Sequence, residues 1–210
     1  MKRLPDPIGA YAILDAGTLP AVELIEAAGE LALGGIGIFQ VRAKNLGAGA
    51  FVELVRAVRM NLPPTACLIV NDRVDVALAT DADGVHLGDE DLPVSVARRL
   101  LPPGAVIGWS THSLAEVRAA QTLGCDYLGF GPLFASGTKV TNRPEHGLPG
   151  LARACAVSAL PIVGIGGIGI EALAGVRASG ASGAAMIAAL LVPGRFRRQG
   201  LAAVKALAGK

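Results

Sequence analysis

Aromatic side chains are scarce in this sequence, at 4% of residues against a hydrophobic fraction of 52%. A core built from it must be packed from small and branched aliphatic side chains, as closely spaced helix–strand layers need. Cysteine is rare too. Cys67, Cys125 and Cys155 are an odd number, far apart and without a Cys-x-x-Cys pair, so buried thiols are expected rather than disulfides or a thiolate metal site. Net charge is nearly absent. A formal +2 is too small to argue for nucleic acid or an anionic membrane as a partner. The locally basic stretch from Arg195 to Lys210 reads as a solvated terminal helix. No uncharged apolar run is long enough to span a bilayer. Met1-Lys2-Arg3-Leu4-Pro5-Asp6 has basic residues with no apolar stretch after them, unlike a signal peptide. Cytoplasmic residence is therefore the expectation. No linker, low-complexity tract or charge block divides the chain, so its 210 residues are expected to form one domain, 1–210.

What the sequence does have is alternation of strand and helix patterns from end to end. Short apolar runs rich in β-branched residues recur at Tyr11–Asp15, Gly35–Ala43, Ala66–Asp72, Gly84–Gly88, Val106–Thr111, Tyr127–Phe134, Pro161–Gly167 and Ala184–Leu190. They are near-continuously apolar, as strands buried on both faces are. Helical patterns fall between them, for example Val22–Leu33, Phe51–Met60, Val94–Leu100, Leu114–Leu123 and Ala172–Ala178. Ser113 and Glu116 fit a capping box, and Gly124 stands where a C-cap glycine belongs. A closed barrel and an open doubly wound sheet both fit this alternation. The open dinucleotide-binding sheet wants G-x-G-x-x-G after its first strand, and Ala12-Ile13-Leu14-Asp15-Ala16-Gly17-Thr18 lacks it. The glycine-rich turn comes late, after the seventh run, which is the habit of a (β/α)8 TIM barrel. The expected fold is α/β, a barrel with its ligand site at the C-terminal ends of the strands.

Polar residues at those ends are the candidate site. Gln40, Arg42 and Lys44 alternate, so they share a side of their strand and form an oxyanion clamp; the plainer alternative is a salt-bridged barrel mouth. The next two runs end in Asn71-Asp72 and in His86-Leu87-Gly88-Asp89-Glu90-Asp91. Asp72 and Asp91 beside a cationic clamp suggest Mg2+ bridging a polyphosphate, whereas each alone would more often be a helix cap or loop residue, and Asp91 could cap the helix that follows. The fifth run ends in Ser110-Thr111-His112. The sixth leads into Ala135-Ser136-Gly137-Thr138-Lys139, a phosphate-suited segment that continues without a clear element to about Leu148, as an active-site lid would. Gly164-Ile165-Gly166-Gly167-Ile168-Gly169 precedes a helix, where backbone N–H groups can approach a phosphate. After it, Met186-Ile187-Ala188-Ala189-Leu190 offers only backbone. One cationic and one neutral anion site imply two phosphorylated substrates. His86 reads as a hydrogen-bonded barrel histidine.

These motifs, in order along nearly the whole chain, resemble the thiamine phosphate synthase family: Gln40-x-Arg42-x-Lys44, Asn71-Asp72-Arg73-Val74-Asp75, Gly84-Val85-His86-Leu87-Gly88, Gly108-x-Ser110-Thr111-His112, Gly131-Pro132-x-Phe134-x-Ser136-x-Thr138-Lys139 and Ile165-Gly166-Gly167-Ile168. The resemblance implies a transferase that joins hydroxymethylpyrimidine diphosphate to a thiazole phosphate and releases diphosphate. It implies that Gln40, Arg42, Lys44 and Asn71 hold the pyrimidine diphosphate, with Ser110 and Lys139 also touching it. It places Mg2+ on Asp72 and Asp91. It places the thiazole phosphate on Ser136, Gly137, Thr138, Gly167, Ile187 and Ala188. Arg42, Lys44, Ser110 and Lys139 are then the catalytic group. The family usually has Pro-Thr at Ala135-Ser136, serine at Ala188, glutamine at Asp89 and aspartate at Asn45. Two rivals remain: the related thiazole tautomerase, with His112 moving a proton, and a non-catalytic barrel that binds a thiamine precursor. The sequence does not show the oligomeric state; a homo-oligomer is possible, and a symmetric dimer is the base rate for such enzymes.

Overall fold

The near-continuous apolar runs conceal a period of two. Along the first strand, β1 (Gly9–Asp15), Ala10, Ala12 and Leu14 belong to one buried cluster while Tyr11 and Ile13 belong to another. The same split recurs in β2 (Ile38–Arg42), where Phe39 and Val41 face one way and Ile38 the other, and in β3 (Cys67–Asn71), with Leu68 and Val70 against Cys67 and Ile69. Both faces are apolar because one packs on helices and the other fills the inside of a barrel.

The computed structural model describes residues 4–80, 82–135 and 143–209. Five further strands follow: β4 (Gly84–Leu87), β5 (Val106–Thr111), β6 (Tyr127–Phe130), β7 (Ile162–Ile165) and β8 (Gly183–Met186). All eight are parallel and pair in sequence order, and β8 closes on β1 through Gly9↔Gly183 to Ala12↔Met186. Helices alternate with them: α1 (Ala21–Leu33), α2 (Ala48–Asn61), α3 (Val74–Ala79), α4 (Val94–Leu100), α5 (Leu114–Ala120), α6 (Gly147–Val157), α7 (Leu173–Ala178) and α8 (Phe196–Ala208). The expected barrel is the observed one, and the open sheet is excluded by closure.

The larger apolar cluster lies between barrel and helices; the smaller one, with Tyr11, Ile38, Ile69, Tyr127 and Val163, fills the barrel. At the N-terminal face, Asp83 accepts the Leu68 N–H at 2.8 Å and pairs with Arg59, while Asp126 accepts the Ile107 N–H at 2.7 Å and pairs with Arg98 at 2.8 Å. These carboxylates tie helix to strand at the end of the barrel away from the candidate site. No helix among the described residues is long and apolar enough to cross a membrane.

Ser113 caps α5 as expected, accepting the Glu116 N–H at 3.1 Å, and Glu116 reaches back to the His112 N–H at 2.7 Å. The helix itself is shorter than its apolar pattern. Beyond Ala120 the bonds tighten to Gln121 N–H→Arg118 O and Leu123 N–H→Ala120 O, so the cap is Gln121. Gly124 ends the turn that follows, at φ 84°, rather than the helix. The runs at Gly35–Ala43 and Ala184–Leu190 also shorten, to Ile38–Arg42 and Gly183–Met186, because pairing fails where the chain leaves the barrel wall.

Candidate active site

The parity that fills the barrel with apolar groups delivers polar groups at its C-terminal mouth. Inward positions one step further along each strand carry Asp15 in β1, Gln40 and Arg42 in β2, Asn71 in β3, His86 in β4 and Ser110 in β5, and all six line one cavity of about 390 Å3. The opposite wall is mostly backbone and apolar. It is made by Gly166, Gly167, Ile168 and Gly169 after β7, with the carboxylate of Glu171 beyond them, and by Ile187 and Ala188 after β8. Gln40, Arg42, Asn71 and Ser110 from the expected cationic site and Gly167, Ile187 and Ala188 from the expected neutral one therefore line a single space.

Arg42 does not stand alone as a clamp. Its Nη1–H donates to Asp15 Oδ2 at 2.5 Å, and Asp15 Oδ1 accepts the Gly17 N–H at 2.8 Å. Asp15 is 2% exposed. A buried carboxylate needs such partners, and the salt-bridged mouth and the clamp are thus compatible, because a guanidinium has donors beyond the one Asp15 uses. Sequence reasoning did not name Asp15 as a site residue, although the alternation that found Gln40 and Arg42 places it on the same inward row.

Lys44, Asp72 and Asp91 form a second cluster, on the rim beside the cavity rather than in its wall. Lys44 Nζ lies 3.2 Å from Asp72 Oδ2. Asp72 is held at φ 61°, a left-handed backbone that is rare outside glycine and favours Asp and Asn among other residues. The turn is closed on both sides: the Asp72 N–H donates to His86 O at 2.9 Å and the Arg73 N–H to Asn71 O at 2.7 Å. Strain of this kind concentrates at functional sites. Asp91 does not cap α4, whose N-cap is Pro93 without a side-chain bond. Instead Asp91 Oδ2 accepts the Gly88 N–H at 2.7 Å and faces Asp72. Burial, then the charge of Asp72, raises the Asp91 carboxyl above the ordinary range; the Gly88 N–H and Lys44 act against that rise. Two apposed carboxylates with one lysine are short of positive charge.

His112 is also in the cavity wall, and its Nδ1–H donates to Gly131 O at 2.7 Å. His86 is the hydrogen-bonded barrel histidine expected, with Nδ1 2.9 Å from Tyr127 Oη and Nε2 3.0 Å from Ser110 Oγ. Gly166 and Gly167 have φ values of 96° and 62°, and a Cβ on Gly167 would lie 2.2 Å from Ala135 O. This turn packs backbone against backbone, leaving no room for a side chain. Asp89, where glutamine is common in the family, pairs with Arg143 at 3.3 Å, and Arg143 is a further cavity residue that no sequence pattern marks. Ser136, Gly137, Thr138 and Lys139 lie outside the described residues.

Fold and mouth together define a (β/α)8 barrel enzyme whose polar groups gather at the C-terminal ends of its strands. Residues 10–190 match the family model described as thiamine monophosphate synthase. The thiamine-phosphate synthase of Moorella thermoacetica is 47% identical over 176 residues, covering 83% of this chain and 82% of that protein. That of Anaeromyxobacter dehalogenans is 43% identical over 184 residues, covering 88% and 81%. The solved structure of thiamine phosphate pyrophosphorylase from Pyrococcus furiosus superposes with a TM-score of 0.85 at 33% identity, over 97% of each chain. The chain belongs to the thiamine monophosphate synthase family.

Proposed function

We propose that this chain is a transferase that couples hydroxymethylpyrimidine diphosphate to a thiazole phosphate, yielding thiamine phosphate and diphosphate. Family membership supports the reaction. The observation that carries the two-substrate reading is the continuity of the cavity, which touches the Gln40, Arg42, Asn71 and Ser110 wall and the Gly166–Gly167 turn at once. A transfer needs its two partners in one water-poor space with their reacting atoms aligned.

In this reading Gln40, Arg42 and Asn71 hold the pyrimidine diphosphate from the barrel wall and Lys44 holds it from the rim. Lys139 and Ser110 complete that side. The thiazole phosphate lies across the cavity on the backbone of Gly167, Ile187 and Ala188, and the family resemblance adds Ser136, Gly137 and Thr138 to its contacts. Asp72 and Asp91 fit a hard divalent cation, because they are apposed oxygen donors with, among the described residues, only the single ammonium of Lys44 set against their two charges. Mg2+ held there would neutralise the departing diphosphate. The side chains add to that neutralisation: the guanidinium of Arg42 and the ammonium of Lys44 meet the oxygens on which charge develops, so the pyrimidine carbon can lose its leaving group before the thiazole nitrogen captures it. No general base is required.

Incubation of the purified chain with both substrates and Mg2+ tests the reading. Thiamine phosphate and diphosphate are expected in equal amounts. Interconversion of thiazole tautomers without coupling, or binding of both compounds without turnover, would replace it.

Two variants separate the walls. Gly167→Ala drives a methyl into the Ala135 carbonyl, and the KM for thiazole phosphate is expected to rise at least ~10-fold, with the KM for pyrimidine diphosphate little changed. A loss confined to the pyrimidine substrate would move the phosphate elsewhere. Asp91→Asn keeps an acceptor for the Gly88 N–H and removes a repulsive charge. The metal-free variant should melt about 1–2 °C above the unaltered chain in calorimetry. It should also lose the stabilisation that Mg2+ gives by binding the native state.

A further inference from the structure

Three buried groups near the barrel axis have no part in this chemistry, yet they join two residues that do. Gln40 Nε2–H donates to Tyr11 Oη at 2.9 Å. Tyr11 Oη and Tyr127 Oη are 3.0 Å apart. Tyr127 Oη is 2.9 Å from His86 Nδ1, and His86 Nε2 is 3.0 Å from Ser110 Oγ. The chain of bonds starts on β2 and crosses β1, β6 and β4 to end on β5. Both ends line the cavity. The backbone is cleared for it: a Cβ on Gly108 would lie 2.2 Å from Tyr127 Cζ and 2.3 Å from His86 Nδ1.

Counting protons gives the chain a direction. Both phenols are 1% exposed, and burial pushes both above their ordinary pKa, so each is neutral with one O–H to donate. Tyr11 Oη already accepts from Gln40, and among the described residues the acceptor for its own proton is Tyr127. Tyr127 must then donate to His86 Nδ1. A neutral imidazole whose Nδ1 accepts carries its proton on Nε2, which donates to Ser110 Oγ. The Ser110 proton and Gln40 Oε1 are left for the cavity. Run the other way, with Gln40 donating as it does, the Tyr11 proton would be buried without an acceptor among the described residues, which costs more than the bond it replaces.

We infer that Tyr11, Tyr127 and His86 are positioning residues that fix Ser110 as a hydrogen-bond donor and Gln40 as an acceptor, selecting a ring that offers an unprotonated nitrogen to Ser110 and an amino group to Gln40. The inference rests on the aminopyrimidine reading of this wall. A site built to pair specific polar groups rejects analogues that lack them, because its own buried groups are then left unpaired.

Nuclear magnetic resonance of the 15N-histidine-labelled chain tests the polarity without substrate. His86 is assigned by its disappearance in His86→Gln. At pH 7 its proton is expected on Nε2, with Nδ1 bare; an Nδ1–H tautomer or an imidazolium would overturn the inference. In Tyr127→Phe the single tautomer should give way to a mixture. The KM for the pyrimidine diphosphate should rise roughly five- to tenfold, with kcat and the KM for thiazole phosphate within about twofold. An unchanged tautomer and unchanged KM would reduce the chain of bonds to packing. If Tyr127→Phe does not fold, the spectrum of the unaltered chain still decides the polarity. Absence of coupling activity with the expected tautomer would defeat the assigned reaction and leave the polarity standing.

Discussion

An Asp72→Asn variant is expected to lose about 10²–10³-fold in kcat/KM for the coupling reaction, measured at saturating Mg2+, with its melting temperature almost unchanged. Asparagine is the informative replacement because of the backbone. Asp72 sits at φ 61°, a conformation that asparagine tolerates and alanine adopts at a cost of about 1 kcal/mol. Asp72→Ala should abolish the Mg2+-dependent activity too, but it confounds lost charge with strain. In the asparagine variant the turn closed by the Asp72 and Arg73 N–H groups is kept, and the partner of Lys44 is lost. A Mg2+ titration followed by activity should show the response flattened over the range in which the unaltered chain saturates. An unchanged kcat/KM would remove Asp72 from the metal site.

Arg42→Met is expected to lower both activity and stability, and the two losses can be separated. The carboxylate of Asp15 is buried and its side chain is 3% exposed, against 20% for Arg42. Removing the guanidinium strands that charge, at about 2–3 kcal/mol, the low side for a buried pair because Arg42 is partly open to water. Urea denaturation should show the midpoint move with the slope unchanged. The double variant Asp15→Asn with Arg42→Gln restores an uncharged hydrogen-bonded pair, so most of the stability should return. The activity should not, because a neutral amide cannot meet a diphosphate as a guanidinium does. Recovery of activity in the double variant would assign Arg42 to the mouth's architecture alone.

Much of this was legible in the residues. The alternation of apolar runs and amphipathic patterns, the absent early glycine fingerprint and the late Gly166–Gly167 turn lead to the barrel. Period two put Gln40, Arg42 and Lys44 on one side; the cavity wall has the first two there, while Lys44, beyond the end of β2 at Arg42, lies on the rim. Less legible were the ends of elements. The chain after Ala120 tightens into single turns that keep an apolar helical pattern, and the strands stop where their neighbours stop. Arg143 has no strand or helix pattern around it to give it a direction, and its place beside Asp89 is a tertiary contact that no local pattern marks.

The sequence by itself determined the class of fold, the residue types available for phosphate and metal, and the strand ends that carry them, because periodicity and punctuation are local properties of the chain. Only the tertiary structure decided which of those groups meet. Closure of β8 on β1 brings the Gly166–Gly167 turn across one cavity from Gln40 and Arg42 and Tyr11 to Tyr127, while pairing of neighbouring strands gives Asp15 to Arg42 and Asp72 to Asp91. Each of those pairings joins residues far apart in sequence. Their distances are set by the stagger of eight strands around a common axis, which no local pattern encodes.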